Sequence, residues 1–404
     1  MSTKQVSLKW SIKRINLIWL IQFLPFIELS AIQNNISLGL FMRITLINSV
    51  VIILTNLLEI KKVSIIAKLI SLFCLLVMIF TYMNGAMQLY NVYLCISLSA
   101  FCLHIDRGFR KTPIFVIRFI EKFYGAVLVI TLLFQIFARG IFGAAELSGN
   151  FYNFWATDNE IGYVYIPFLL TTFLSRYAET KTIDKKSVMY LALTVLSVII
   201  AWSGACVIGM LIMIFNVVAY KLDFDFFTYK RSIILYIVIF LSVVVFNIFD
   251  VFSFFIEGVL GKDMTLSGRT LVWPMAIQDI LKNGFIGYGI NELGRLTIYK
   301  VWAGMDAISA HGYFLEWVLQ SGYLGLMCLI GIIIACGAKI KSIKDEKITK
   351  VIVGMLFAML IMYTTEGWIY HYFQYIIYFT IFYAPDILAR SNLVEQSDFS
   401  ESMC

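Results

Sequence analysis

Apolar runs of about twenty residues recur along almost the whole chain, and they decide what it can fold into. Hydrocarbon offers no partner to backbone N–H and C=O groups. A run of this kind therefore crosses a bilayer only as a helix, about 20 residues long at ~1.5 Å per residue. The runs fall at 15–33, 38–58, 65–83, 86–105, 120–138, 161–178, 188–202, 204–220, 232–252, 313–337, 351–366 and 371–389. Composition agrees: the 404 residues are 60% hydrophobic and 14% charged, with a mean hydropathy of +0.85. A soluble domain carries about 25% charged residues. The expected fold is a single all-α integral membrane domain over 1–404, a polytopic bundle of about 12 transmembrane helices.

Basic residues set the expected orientation. Of the 32 lysines and arginines, 25 fall in loops that alternate onto one side, among them Lys61, Lys62, Arg110, Arg118, Arg176, Lys186, Lys221 and Lys339–Lys350. The opposite side holds Arg139 and the five basic residues of a polar insert, 253–312. Both termini are then cytoplasmic and the insert faces outward. The net charge of +7 belongs to this asymmetry and not to a nucleic-acid surface. Met1–Arg14 is basic, with no small-residue cleavage site after it, so the first run reads as a retained signal anchor. The stretch 188–220 begins and ends at basic loops. It must form two short helices that turn near Trp202-Ser203-Gly204, or a re-entrant hairpin. The seven cysteines have no metal-ligand spacing and none lies in the insert; they read as small buried apolar residues.

The insert carries Ser267-Gly268-Arg269, Trp273, Gly284-Phe-Ile-Gly287-Tyr-Gly289 and His311-Gly312. Arg269 precedes an amphipathic stretch, 270–282, with Ser267 placed to cap it. A guanidinium at a helix N-terminus suits an oxyanion, though a solvated loop arginine or a lipid-headgroup contact reads equally well. His311 stands before the helix that starts at Tyr313, either as a base or donor or as a structural hydrogen-bonding group. The glycines at 284–289 match only part of a nucleotide-binding pattern, and no βαβ unit flanks them; they read as a tight turn. Glu28, Arg43, Glu316 and Glu366 lie in or beside apolar runs, where a charge faces a cavity or finds an internal partner. A second outward segment, 139–160, holds aromatics and amides including Asn150, Trp155 and Asn159; these suit interfacial anchoring or sugar rings.

Ser267-Gly268-Arg269, Trp273, a Gly-x-Gly turn, Ala310-His311-Gly312-Tyr313-Phe-Leu and Gly322-Tyr-Leu-Gly325 together resemble the signature of the O-antigen ligase and polymerase superfamily. The resemblance covers about residues 140–335. It implies a metal-independent bacterial glycosyltransferase of the cytoplasmic membrane, with no cofactor and its active site facing outward. The donor is a glycan on undecaprenyl pyrophosphate. The bilayer and the pathway's flippase and chain-length regulator are partners; nucleic acid is not. In this reading Arg269 and His311 are catalytic, with Ser267, Gly268, Trp273, Asn159, Arg295 and Glu316 about the substrate. Arg269 meets the charge of the leaving pyrophosphate. Polymerisation of lipid-linked repeat units, for O-antigen or capsule, is favoured over ligase-type transfer; a flippase or transporter is the reading from another class. Two departures stand out. The family's His-Asn is His311-Gly312 here, and its Ser-Arg-Gly is Ser203-Gly204-Ala205, so that arginine is absent or replaced by Arg139 or Arg295.

Overall fold

The computed structural model describes residues 14–29, 38–144, 150–248, 269–290, 299–302, 305–307 and 309–401. Each of the twelve apolar runs carries a helix. In chain order they are α1 (Arg14–Phe23, continued by a 3-10 turn, Leu24–Phe26), α2 (Leu38–Leu57), α3 (Ile65–Met83), α4 (Leu89–Lys111), α5 (Pro113–Phe137), α6 (Ile161–Thr180), α7 (Lys185–Ala201), α8 (Gly204–Lys221), α9 (Tyr229–Phe240, then a π turn, Leu241–Val245), α11 (Tyr313–Lys341), α12 (Glu346–Thr365) and α13 (Ile376–Glu401). The insert adds α10 (Arg269–Asn283) and a short antiparallel hairpin, β1 (Tyr299–Trp302) with β2 (Met305–Ala307). Short helices are expected there; the hairpin is not.

The architecture is otherwise all-helical. Among the described residues six helices, α2, α3, α4, α8, α11 and α12, are long and apolar enough to cross a membrane. This is a membrane protein. The 188–220 stretch forms two helices, with Trp202 in the left-handed conformation (φ 54°) at the break and its N–H closing on Val198 O at 2.8 Å. The bundle is layered about α6, in which nearly every residue from Ile161 to Ala178 is buried. Helix α12 lies against α6 and α8, and α13 against α6 and α11. Helix α2 is peripheral, with only 22% of its apolar window buried, and offers the rest to lipid.

Contacts sort the loops to two poles. At one, Arg118 pairs with Glu179 (2.5 Å), Arg176 with Asp184 (2.7 Å), Lys186 with Glu121 (2.7 Å), and Tyr177 donates to Asp345 (2.6 Å). These residues come from loops that sequence assigns to the lysine- and arginine-rich side. At the other pole Asn84 reaches Gly287 O (3.4 Å), Cys206 reaches Asn159 O (3.7 Å), and Arg269 pairs with Glu366 (2.6 Å). Among the described residues, the loops rich in lysine and arginine thus meet at one pole and the insert meets its neighbours at the other.

Helix α11 is broken ten residues in. Gly322 has φ 64° and ψ −168°, which frees the carbonyls before it. The Gly284–Gly289 loop takes them up: Tyr288 N–H donates to Leu319 O (2.6 Å), Gly289 N–H to Gln320 O (3.0 Å), and Tyr323 N–H to Gly284 O (2.7 Å). On its far side the loop meets α3, where Thr81 Oγ1 accepts from Ile290 N–H (2.8 Å). Gly289 has the positive φ (73°) that a tight turn demands, and the loop's backbone groups are spent on the broken helix.

Candidate functional site

The site lies at the pole where α10, α11 and the α12–α13 connection meet. Arg269 is the first residue of α10. Its Nε donates to Thr365 O at 2.7 Å, one of the carbonyls that the end of α12 leaves unpaired. Its Nη2 lies 2.6 Å from Glu366 Oε1, and the Glu366 side chain is 5% exposed. The guanidinium therefore ties the insert to the end of α12. Trp273, one turn along α10, is fully buried. It packs with Val272, Ala276, Ala310, Leu315 and Leu319 in a small apolar cluster that seats α10 on α11.

His311 occupies the left-handed region (φ 48°), uncommon for a residue with a side chain. The conformation is held on both sides. His311 N–H donates to Ser309 Oγ (3.0 Å), Ala310 N–H donates to Glu316 Oε1, and Glu316 N–H returns to Gly312 O (2.9 Å). Gly312 lies close to α12: a Cβ there stands 3.3 Å from Thr364 O. Burial first, and then the charge of Arg269, push the His311 imidazole down to about 4. It is neutral through the physiological range and sits within electrostatic reach of Arg269.

Glu316 is buried, and it works behind His311 by closing the turn. Its second oxygen accepts from Gln320 Nε2 (3.1 Å), and Gln320 Oε1 accepts from Tyr370 OH (2.7 Å). The structure thus brings Arg269 together with His311 and Glu316 from two separate stretches of sequence. Asn159 lies at the same pole beside the start of α6. Ser267, Gly268 and Arg295 lie outside the described residues. Arg139, one candidate for the missing arginine near Ser203, lies 3.5 Å from Asp158 and over the Phe151 ring at 4.9 Å. Asp158 itself accepts from Asn153 Nδ2 (2.9 Å) and Phe151 N–H (3.2 Å), so this group shapes its own loop.

The connection from Glu366 to Tyr372 is the part that sequence reading missed. The apolar windows 351–366 and 371–389 leave only four residues between them and place His371 inside the last helix. In the structure that helix starts at Ile376, and Glu366-Gly-Trp-Ile-Tyr-His-Tyr372 is a non-helical connection from the end of α12. Glu366 holds Arg269, Tyr370 holds Gln320, and His371 lies between Glu28 (3.5 Å) and Glu160 (3.3 Å). Glu28 and Glu366 read in sequence as charges that face a cavity or find an internal partner; here each has a partner. Arg43 is exposed on α2. The overlooked signal was a cluster of polar groups in seven residues, holding one of only three histidines in the chain.

Among the described residues no group of three or more His, Cys, Asp or Glu side chains is arranged to hold a metal ion. A recess of about 190 Å³ lined by Phe226, Arg231, Ser232, Leu235 and Phe357 involves α9 and α12, and none of the residues above. No protein-family model matches the chain, and no curated protein matches it.

Proposed function

We propose that this protein is a polymerase of lipid-linked oligosaccharide repeat units, acting at the outer face of a bacterial cytoplasmic membrane. All twelve helical runs cross in this reading, with both termini inside and the insert outside. One observation carries it: Arg269 and His311, the two residues singled out by the family-like motifs, converge at the pole opposite the concentrated basic residues.

The chemistry asked of them is modest. A pyrophosphate leaving group gains negative charge as the glycosidic bond breaks, and a fixed guanidinium lowers that barrier. Arg269 is fixed by Thr365 O and Glu366, so it needs little reorganisation. The incoming phosphate competes with Glu366 for it. His311 is neutral and orients the acceptor hydroxyl by a hydrogen bond; its lowered pKa makes it a weak base, so as the hydroxyl oxygen bonds the anomeric carbon its proton passes to the departing pyrophosphate. The lipid-linked donor approaches sideways from the bilayer.

Deleting the gene and separating the surface glycan on a gel tests the reading. Single-repeat product supports a polymerase. Long unattached lipid-linked chains indicate a ligase, and an unchanged glycan overturns both.

A further inference from the structure

His371 stands at the far end of the connection whose near end, Glu366, grips Arg269. Its two ring nitrogens face carboxylates from two separate stretches of chain. Glu28, from the segment after α1, lies 3.5 Å from Nδ1; Glu160, the residue before α6, lies 3.3 Å from Nε2. Both carboxylates are anchored in turn. Glu28 Oε2 accepts Tyr372 N–H (2.9 Å), and Glu160 Oε2 accepts Thr157 N–H (3.2 Å). The imidazole stacks on buried Tyr163 (6.2 Å) and meets exposed Trp368 edge-on (5.9 Å). A neutral imidazole has one N–H and can satisfy only one of two carboxylates, whereas an imidazolium satisfies both. The arrangement is built for the charged form.

We propose that His371 is a positioning residue: as an imidazolium clamped between Glu28 and Glu160 it fixes the Glu366–Tyr372 connection, and through Glu366 the placement of Arg269. The clamp itself does not depend on what reaction the protein performs. Its consequence for transfer rests on the reading given above.

Among the described residues the titratable groups that face the clamp are few. They are Tyr163 from α6, Tyr372 from the connection itself, Tyr90 and Tyr93 from α4 near Glu28, and Tyr124 from α5. All are phenols, neutral well beyond pH 8. Two further described charges of the Glu160 loop, Arg139 and Asp158, face each other. Burial opposes the charge on His371, but the two carboxylates outweigh it and hold its pKa well above 6.5. Burial likewise opposes ionisation of Glu160, and His371 outweighs it, so that its pKa is lowered from 4.5. The clamp is therefore fully formed between those two ordinary values. It is lost as pH rises through the raised His371 value, or falls through the lowered Glu160 value.

The chain holds only His104, His311 and His371, so full-length protein labelled with ¹⁵N-histidine in lipid nanodiscs shows three imidazoles by NMR. His371 is expected doubly protonated at pH 7. Removing either carboxylate, by Glu28→Gln or Glu160→Gln, should lower its midpoint by about one unit or more. The His311 signal, which senses Arg269, should move with the same midpoint, because the two ends of the connection move together. A neutral His371 at pH 7, or a His311 signal indifferent to the His371 titration, overturns the proposal. The wild-type titration decides even if a variant fails to fold. Neither readout requires a glycan, so loss of the polymerase reading leaves this result intact, and the converse holds.

Discussion

The docking of the glycine loop on broken α11 gives the sharpest structural prediction. A Cβ placed on Gly287 overlaps the carbonyl of Gln320 and comes within 2.6 Å of Gly322 N. Both are backbone of a packed helix and cannot turn aside, so the loop must withdraw. It then loses the bonds Tyr288 N to Leu319 O, Gly289 N to Gln320 O and Tyr323 N to Gly284 O. A backbone hydrogen bond contributes about 1 kcal/mol, and a buried carbonyl left unpaired costs about 1–3 kcal/mol. Gly287→Ala should therefore destabilise by about 3–5 kcal/mol. The built-in control is Gly284→Ala, whose Cβ comes nearest to the ring of half-buried Tyr323, a side chain that can rotate away. Thermal unfolding of the purified full chain, at one scan rate because large membrane proteins unfold irreversibly, should show Gly287→Ala several degrees below wild type. Gly284→Ala should fall much closer. A Gly287→Ala midpoint equal to wild type, or below it by less than that of Gly284→Ala, refutes the account of the broken helix.

Other perturbations test the site. Arg269→Ala leaves buried Glu366 without its cation, a loss of about 3–5 kcal/mol that confounds any activity assay. The double variant Arg269→Ala/Glu366→Gln should recover protein level yet make no polymer, and polymer from it removes Arg269 from the chemistry. Arg269→Lys should recover activity only in part, because an ammonium lacks the guanidinium fork. With His311 held at about 4, transfer by reconstituted protein should stay level down to about pH 5 and fall through about 4. An acid limb at 6.5 that vanishes in His311→Gln contradicts the burial and the Arg269 contact. The same shift means that folded protein binds fewer protons than unfolded chain between about 4 and 6.5, so stability declines as pH falls through that window. For sidedness, Lys282→Cys should react with an impermeant thiol reagent from outside intact cells and Lys344→Cys should not; the reverse pattern inverts the orientation. Activity should persist in EDTA, and a rate restored only by a divalent ion contradicts a metal-free transfer.

The helices were legible because the bilayer imposes one rule on every run: satisfy the backbone locally or do not cross. That rule acts within about twenty residues, the span a sequence window can see. The polar contacts of the site obey no local rule. Arg269 and Glu366 are 97 residues apart, and Tyr372 and Glu28 are 344 apart, so no spacing announces either pair. What sequence could mark was a charge facing a cavity or a partner, at Glu28 and Glu366, and not which partner it finds. His371 was hidden for the opposite reason. Its neighbours Ile369, Tyr370, Tyr372 and Phe373 are apolar enough to extend a helix on paper. Likewise the hydropathy of α11 runs unbroken through Gly322, and only the φ of 64° and the incoming Gly284–Gly289 loop reveal the break. The same glycines read as a tight turn from sequence do form one, but their use is set by a helix more than thirty residues on. Local chemistry fixes which segments are helices. The site arises where chain ends and breaks of those helices leave polar groups that only distant residues can satisfy, and Arg269 at the end of α12 is one such answer.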